Sequence, residues 1–263
     1  MRKKGIPIGI IIALVMAGFT LMKYCATSQE NPITGEKQYI NMTVDQEIAL
    51  GLQSAPQMAQ QHGGLHPDER AQRHLDMVGE KLLRGTVAGQ TPFQFHFHLL
   101  ADPRAVNAFA LPGGQVFITA ALYAKLESED QLAGVIGHEI GHVLARHAAE
   151  RIAKQELTEG LTGAAVMATY DPGNPASMRT ADVARMIGNV VNMKYGREQE
   201  LESDDLGVRL MVEAGYDPHA LKGVMRILAQ ASGGQRVPEF QSTHPSPENR
   251  IEKIDEAIAK YAR

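Results

Sequence analysis

Hydrophobic residues follow different periods in successive stretches of the chain, and each period predicts a different element. An uncharged run, GIPIGIIIALVMAGFTLM, extends from Gly5 to Met22, with Arg2, Lys3 and Lys4 before it and Lys23 after it. It is longer than the roughly 7–15 residues of a signal-peptide apolar region and just reaches the length of a membrane-spanning helix. A polar segment, ATSQENPITGEKQYIN, follows, with Pro32 and Gly35 as turn formers. Thr43 then opens a helix, because Gln46 stands three residues on and completes a capping box. Leu75, Val78 and Leu82 share one face of a second helix over Pro67 to Leu83. In FQFHFHLL, residues 93–100, Phe93, Phe95, Phe97 and Leu99 alternate with Gln94, His96 and His98, the pattern of a half-buried strand. VNAFALPGGQVFITAAL reads as two further strands joined by a turn at Leu111, Pro112, Gly113 and Gly114. The remainder is mostly helical, broken at YDPGNPAS (170–177) and in the loop ASGGQRVPEFQSTHPSP (231–247). With no internal repeat, the expectation is one small sheet with packed helices, an α+β domain over 43–263. A linker over 25–42 and a signal sequence or membrane anchor over 1–24 precede it.

Composition changes this picture in only a few places. A chain of 263 residues that is 44% hydrophobic can bury one sizeable core. Its net charge of −4, with no dense basic run beyond the first four residues, argues against a nucleic-acid partner. Positive charge ahead of the apolar run keeps the extreme N-terminus in the cytoplasm and places the rest on the periplasmic side, held to the membrane through residues 5–22 if that run is retained. Cys25 is the single cysteine, so no internal disulfide forms. It follows Met22, Lys23 and Tyr24, a poor match to the small residues of a lipoprotein processing site. An uncleaved anchor or ordinary cleavage is therefore expected ahead of lipidation.

Candidate chemistry is concentrated in GVIGHEIGHVLARHAAE, residues 134–150. On a helix over 131–150, Leu132, Ile136, Ile140, Val143 and Leu144 fall in one arc. His138 and His142 fall opposite, about 40° apart, with Glu139 at the border. Gly134, Gly141, Ala145 and Ala149 surround the histidines, as if that face were hollowed for a ligand. Two imidazoles one turn apart can bind one Zn²⁺, and the intervening Glu139 can reach a water there without ligating the metal, which is the logic of an H-E-x-x-H motif. His147 projects about 180° from His138 on the same wheel, which suggests a hydrogen-bonded core histidine. His96 and His98 share a strand face and read as a solvent-facing edge rather than a metal site.

A catalytic zinc needs a third protein ligand. The helix beginning near Tyr195, in YGREQELESDDLGVRLM, has Leu201, Val208 and Val212 as its apparent buried stripe, with Asp205 at the edge. Glu200, Asp204 and Gly207 lie on one flank; Glu198, Glu202 and Arg209 lie on the other and read as a solvated charged flank. The first flank pairs two carboxylates one turn apart, so Glu200 can ligate while Asp204 orients a ligand histidine. Geometry favours that flank without excluding the other.

GHEIGHVLARH, NAFALPGGQVFIT, YGREQELESDDLG and STHPSPENRI together resemble the zinc metallopeptidase family that includes the CAAX prenyl endopeptidases, HtpX and the mitochondrial Oma-type proteases, over roughly residues 30–260. The resemblance implies a gluzincin-like zincin domain, mostly helical with a small sheet, binding one zinc per chain. It puts the family's E-x-x-x-D motif on Glu200 and Asp204, and so implies His138, His142 and Glu200 as ligands, with Glu139 as general base. Ser203 and Gly196 depart from the alanine and serine usual at their positions. His244 resembles the family histidine that approaches the site from a loop, and a histidine there could be a fourth ligand in a resting state. Arg250 could stabilise an oxyanion or brace the domain. The stretch Asn107, Ala108, Phe109 and Ala110 could pair with an extended substrate. Unfolded or misassembled envelope proteins are the substrates the family implies. A chaperone-like binding protein with slow proteolysis is the alternative, and a multi-span prenyl protease is disfavoured by the lack of further apolar runs. The Met-containing stretch Ala164 to Met193 reads as packing or a cover.

Overall fold

The structure is a computed structural model and describes residues 7–169, 195–231, 239–245 and 248–262. The charges before the apolar run, the break expected at 170–177, the stretch beyond Thr169, and Gly233, Gly234 and Pro247 lie outside these residues. The chain divides into two compact units, one of Met1–Asn41 with Ala149–Met193, the other of Met42–Ala148 with Lys194–Arg263.

In the first unit, helix α1 (Ile8–Ala26) carries the apolar run and is long and apolar enough to cross a membrane. The segment expected as a linker forms a hairpin instead, β1 (Ser28–Glu30) with β2 (Lys37–Tyr39), because Asn31 caps the turn by accepting from the Ile33 and Thr34 amides. Lys23 and Asn41 both hydrogen-bond to Glu156, at 3.2 and 2.7 Å.

The second unit holds the main core. Its helices begin where the capping residues require: α2 (Val44–Gln61) at the Thr43/Gln46 box and α3 (Glu69–Leu83) at Asp68, whose side chain accepts from two amides. Leu75, Val78 and Leu82 are fully buried, as the helical period demands. Strands β3 (His96–Leu100), β4 (Ala108–Leu111) and β5 (Gln115–Thr119) form a sheet in the order β3-β5-β4, with β3 parallel and β4 antiparallel to β5. The strand expected over 93–100 is shorter because His96 pairs with Gln115, the first residue of β5; before Gln115 the chain turns through Pro112–Gly114, and the ladder gives way to a single bond from the Gln94 amide to the Gly113 carbonyl at 3.0 Å. Strand β3 is an edge strand and His96 on it is exposed, but His98 is half-buried. It hydrogen-bonds to Gln115 at 2.9 Å and stacks on Phe117.

After the short α4 (Ala120–Tyr123), helix α5 (Glu129–Leu144) runs through the middle, capped by Ser128 and packed against α3, the sheet and two later helices. Every residue of α5 from Gln131 to Leu144 is buried, so both faces of its wheel are covered. It ends sooner than expected. Arg146 takes a left-handed backbone (φ 55°), and a new helix, α6 (His147–Thr169), begins after it. The Arg146 guanidinium, held by Glu47 at 2.8 Å and by the Met42 carbonyl at 2.9 Å, keeps that turn in place. The C-terminal helices are α7 (Arg197–Glu213), α8 (Ala220–Ala231), α9 (Glu239–Thr243) and α10 (Arg250–Tyr261). Helix α7 packs along α5 and against α10, and α8 also packs on α5.

Candidate metal centre

Helices α5 and α7 meet at almost backbone-to-backbone distance. A Cβ at Gly141 would lie 2.8 Å from the Ser203 carbonyl oxygen, and one at Gly207 would lie 3.0 Å from the His138 amide nitrogen. The small residues around the two histidines are therefore spent on close helix packing, and no hollow over the helix face is needed to explain them. On α7 the buried residues are Glu200, Ser203, Asp204, Leu206, Gly207, Val208, Leu210 and Met211. Of the stripe expected on Leu201, Val208 and Val212, Val208 is fully buried and the other two are half-buried, because the partner of α7 is a polar site and the flank of Glu200 and Asp204 faces inward.

This crossing gathers His138, His142, Glu200 and, from the loop after α9, His244 into one cluster whose ligand atoms all lie within 4.8 Å of one another. Among the described residues it is the one group of this kind. His138 Nδ1 donates to Asp204 Oδ1 at 2.9 Å, which turns His138 Nε2 toward His142 Nε2, 3.1 Å away. Glu200 lies 3.5 Å from each of these Nε2 atoms and 3.0 Å from His244 Nδ1. All four side chains are at most 2% exposed.

Two facing imidazole nitrogens beside a buried carboxylate require a positive charge between them. A proton can supply it: burial would lower the His138 pKa, but Asp204 and Glu200 raise it to about 9. Burial meanwhile takes His142 well below the ordinary histidine value, so its ring is neutral and available as a ligand. Glu200 Oε2 and His244 Nε2 are buried with no hydrogen-bond partner. Two or three imidazoles with one carboxylate are the donor set zinc takes, so the residues fit that metal.

Glu139 is fully buried beside the cluster, and neither of its carboxylate oxygens has a hydrogen-bond partner; the nearest group is His244 Nε2 at 3.8 Å. Burial raises its pKa, against the pull of His244 and His138. Asp204 is placed the other way. Burial alone would raise it, but the Arg250 guanidinium, which donates to both its oxygens at 2.6 and 2.9 Å, holds it below the ordinary carboxylate range.

Residues 69–258 match peptidase family M48. The chain belongs to this family. It is 28% identical over 255 residues to the beta-barrel assembly-enhancing protease of Escherichia coli K12, a match covering 93% of this chain and 50% of that protein. It is 28% identical over 254 residues to the mitochondrial metalloendopeptidase OMA1 of Schizosaccharomyces pombe, covering 93% and 70%. It is 33% identical over 159 residues to the Arabidopsis thaliana OMA1, covering 60% and 31%. The chain thus spans about half the length of the bacterial relatives it matches. Membership bears out the Oma-type resemblance and the α+β expectation, and gives zinc as the cofactor of this metallopeptidase domain.

Within the M48 domain the structure brings His138, Glu139, His142, Glu200, Asp204, His244 and Arg250 together. Arg250 is engaged with Asp204, and its Nη1 lies 3.5 Å from Glu200, so it braces the site from behind. Asn107 immediately precedes β4, which lies at the sheet edge and packs on α5; Ala108, Phe109 and Ala110 belong to that strand.

Four further residues touch the cluster without having been expected there. Tyr195 stacks on His142, with ring centroids 4.1 Å apart, and Phe240 stacks on His244 at 4.3 Å. Both come from segments that only tertiary packing brings to the site. His147 does not point away from the metal ligands: its Nδ1 lies 2.8 Å from His142 Nδ1, because the chain leaves the α5 axis at Arg146. Its Nε2 donates to Glu202 Oε2 at 2.9 Å, so Glu202 is no member of a freely solvated flank. A helix-ending signal at Ala145–Arg146 would have exposed this, but arginine carries none.

Proposed function

We propose that this chain is a zinc-dependent endopeptidase that hydrolyses peptide bonds of unfolded or misassembled cell-envelope proteins from the periplasmic side. In this reading residues 43–263 form the peptidase domain, and residues 1–24 deliver it to the envelope as signal or anchor. His138, His142 and Glu200 hold the metal, which when bound supplies Lewis-acid polarisation and makes water more acidic. The observation that carries the proposal is Glu139: a buried carboxyl with both oxygens unpartnered, raised in pKa, and next to four metal-ligating side chains. A carboxyl so placed can take a proton from water at the scissile carbonyl and return it to the leaving amine. An extended substrate adds to the outer edge of β4 next to Asn107–Ala110, using backbone hydrogen bonds and so tolerating many sequences. The bacterial relatives named for β-barrel assembly support envelope substrates.

Glu139→Gln should retain zinc while casein degradation falls by at least about a hundredfold, the scale of a lost general base. Near-normal cleavage by this variant would place the chemistry elsewhere.

A second reading, a chaperone-like protein with latent proteolysis, is favoured by one feature. His244 is buried within the donor cluster and can close the metal as a fourth ligand. In a latent enzyme of this kind His244→Ala speeds zinc release to a competing chelator. Equal release rates for wild type and His244→Ala would leave His244 without a ligand role.

A further inference from the structure

The reading of His142 as a metal ligand leaves its other ring nitrogen to be accounted for, and what lies behind it is a second histidine and a second carboxylate. We propose that His147 and Glu202 are positioning residues for the metal site: a hydrogen-bonded chain that holds the His142 imidazole in the tautomer and orientation that zinc needs.

Hydrogen-bond direction is set from the carboxylate end. An ionised Glu202 can only accept, so the 2.9 Å contact makes His147 Nε2 an N–H donor. A neutral imidazole with Nε2–H has a lone pair at Nδ1, and that lone pair faces His142 Nδ1 at 2.8 Å. His142 must then carry its proton on Nδ1, which leaves its Nε2 lone pair free on the side of Glu200 and His138. Ser203 Oγ also lies near His147 Nδ1, at the longer distance of 3.3 Å. Tyr195 stacking fixes the plane of the His142 ring, and the chain through His147 fixes its rotation within that plane.

Two features show that the contact is built into the fold. A continuous helix would put His147 about 140° round the axis from His142, out of reach. The left-handed turn at Arg146 removes that separation, and a buried ion pair with Glu47 holds it. On α7, Glu202 has no partner for Oε1 and spends its Oε2 on His147, although its side chain is 23% exposed and could have pointed fully into water. Helix α7 thereby backs both histidines from its two flanks, Asp204 behind His138 and Glu202 behind His142.

The test is zinc affinity of the full chain, measured by competition with a chelator, for wild type, His142→Ala, Glu202→Ala, Glu202→Gln, His147→Ala and Glu198→Ala. Loss of a partner behind a metal-ligating histidine typically weakens binding about 10–100-fold. Glu202→Ala should weaken zinc about tenfold and His147→Ala more. Glu202→Gln, whose amide oxygen still accepts, should recover most of the loss. Glu198→Ala, which removes the same charge from an exposed position on the same flank, should bind as wild type. Imidazole ¹⁵N shifts of the zinc-free protein give a second readout: His142 is protonated at Nδ1 in wild type and distributed over both nitrogens in Glu202→Ala. His142→Ala separates the two readings. Wild-type affinity in that variant overturns the ligand assignment itself, whereas affinity lost in His142→Ala but unchanged in Glu202→Ala and His147→Ala overturns the positioning chain alone. If His147→Ala fails to fold, the Glu202 pair and the ¹⁵N shifts still decide.

Discussion

His138 and His142 stand one turn apart on the same helix, yet they are held by different chemistry. Behind His138 is a buried ion pair: Asp204 is 1% exposed and Arg250 is 3% exposed. Behind His142 is a second imidazole, His147, ending in Glu202, whose side chain is 23% exposed although its Oε1 is buried. A charge removed from water is stable only when its partner and geometry are complete, whereas a carboxylate on a partly exposed side chain can swing to solvent when its partner is lost. The first support therefore ties the metal site to the stability of the domain, and the second adjusts one ligand with little cost to folding if it is lost.

The strongest challenge to this contrast is Arg250→Met, which takes the guanidinium from the buried Asp204 and leaves it only the His138 N–H. It should cost about 3–5 kcal/mol, the range for breaking a buried pair from one side, seen as a large fall in urea midpoint. A cost below about 1 kcal/mol, the level of an exposed pair, would put the two supports on an equal footing.

Acid should separate them next. Asp204 has a folded pKa below its unfolded value of about 4. Its ionised form is therefore bound more tightly in the folded state, and that stability is fully present above the unfolded value and lost as pH falls through the folded one. Thermal midpoints measured from neutral pH downward should drop more steeply for wild type than for Asp204→Asn, which has no carboxylate to protonate. Parallel curves would show that Asp204 contributes nothing pH-dependent.

The smallest effect sharpens the comparison. Glu202→Ala should shift the urea midpoint by less than about 1 kcal/mol equivalent while weakening zinc about tenfold. A stability loss as large as that of Arg250→Met would make Glu202 a structural residue.

The metal centre was legible in the chain because its ligands obey local geometry. Residues four apart share a helix face whatever surrounds them, so His138 and His142 could be paired, and Glu200 with Asp204, before any packing was known. The capping box at Thr43, the strand alternation around His98 and the turn at Pro112–Gly114 are local in the same sense. The family resemblance pointed to the flank of α7 that carries Glu200 and Asp204, a choice the wheel left open. Only tertiary structure decided the rest. The true buried face of α7 is set by the site it packs against, which kept Val208 of the expected stripe inside but left Leu201 and Val212 half-buried. The end of α5 depends on Arg146 finding Glu47 ninety-nine positions away, and without that contact the sequence around His147 reads as continuous helix. His147, Glu202, Tyr195 and Phe240 reach the cluster through such long-range contacts, which leave no periodic trace because partners distant in sequence are brought together by packing rather than by helical or strand repeat.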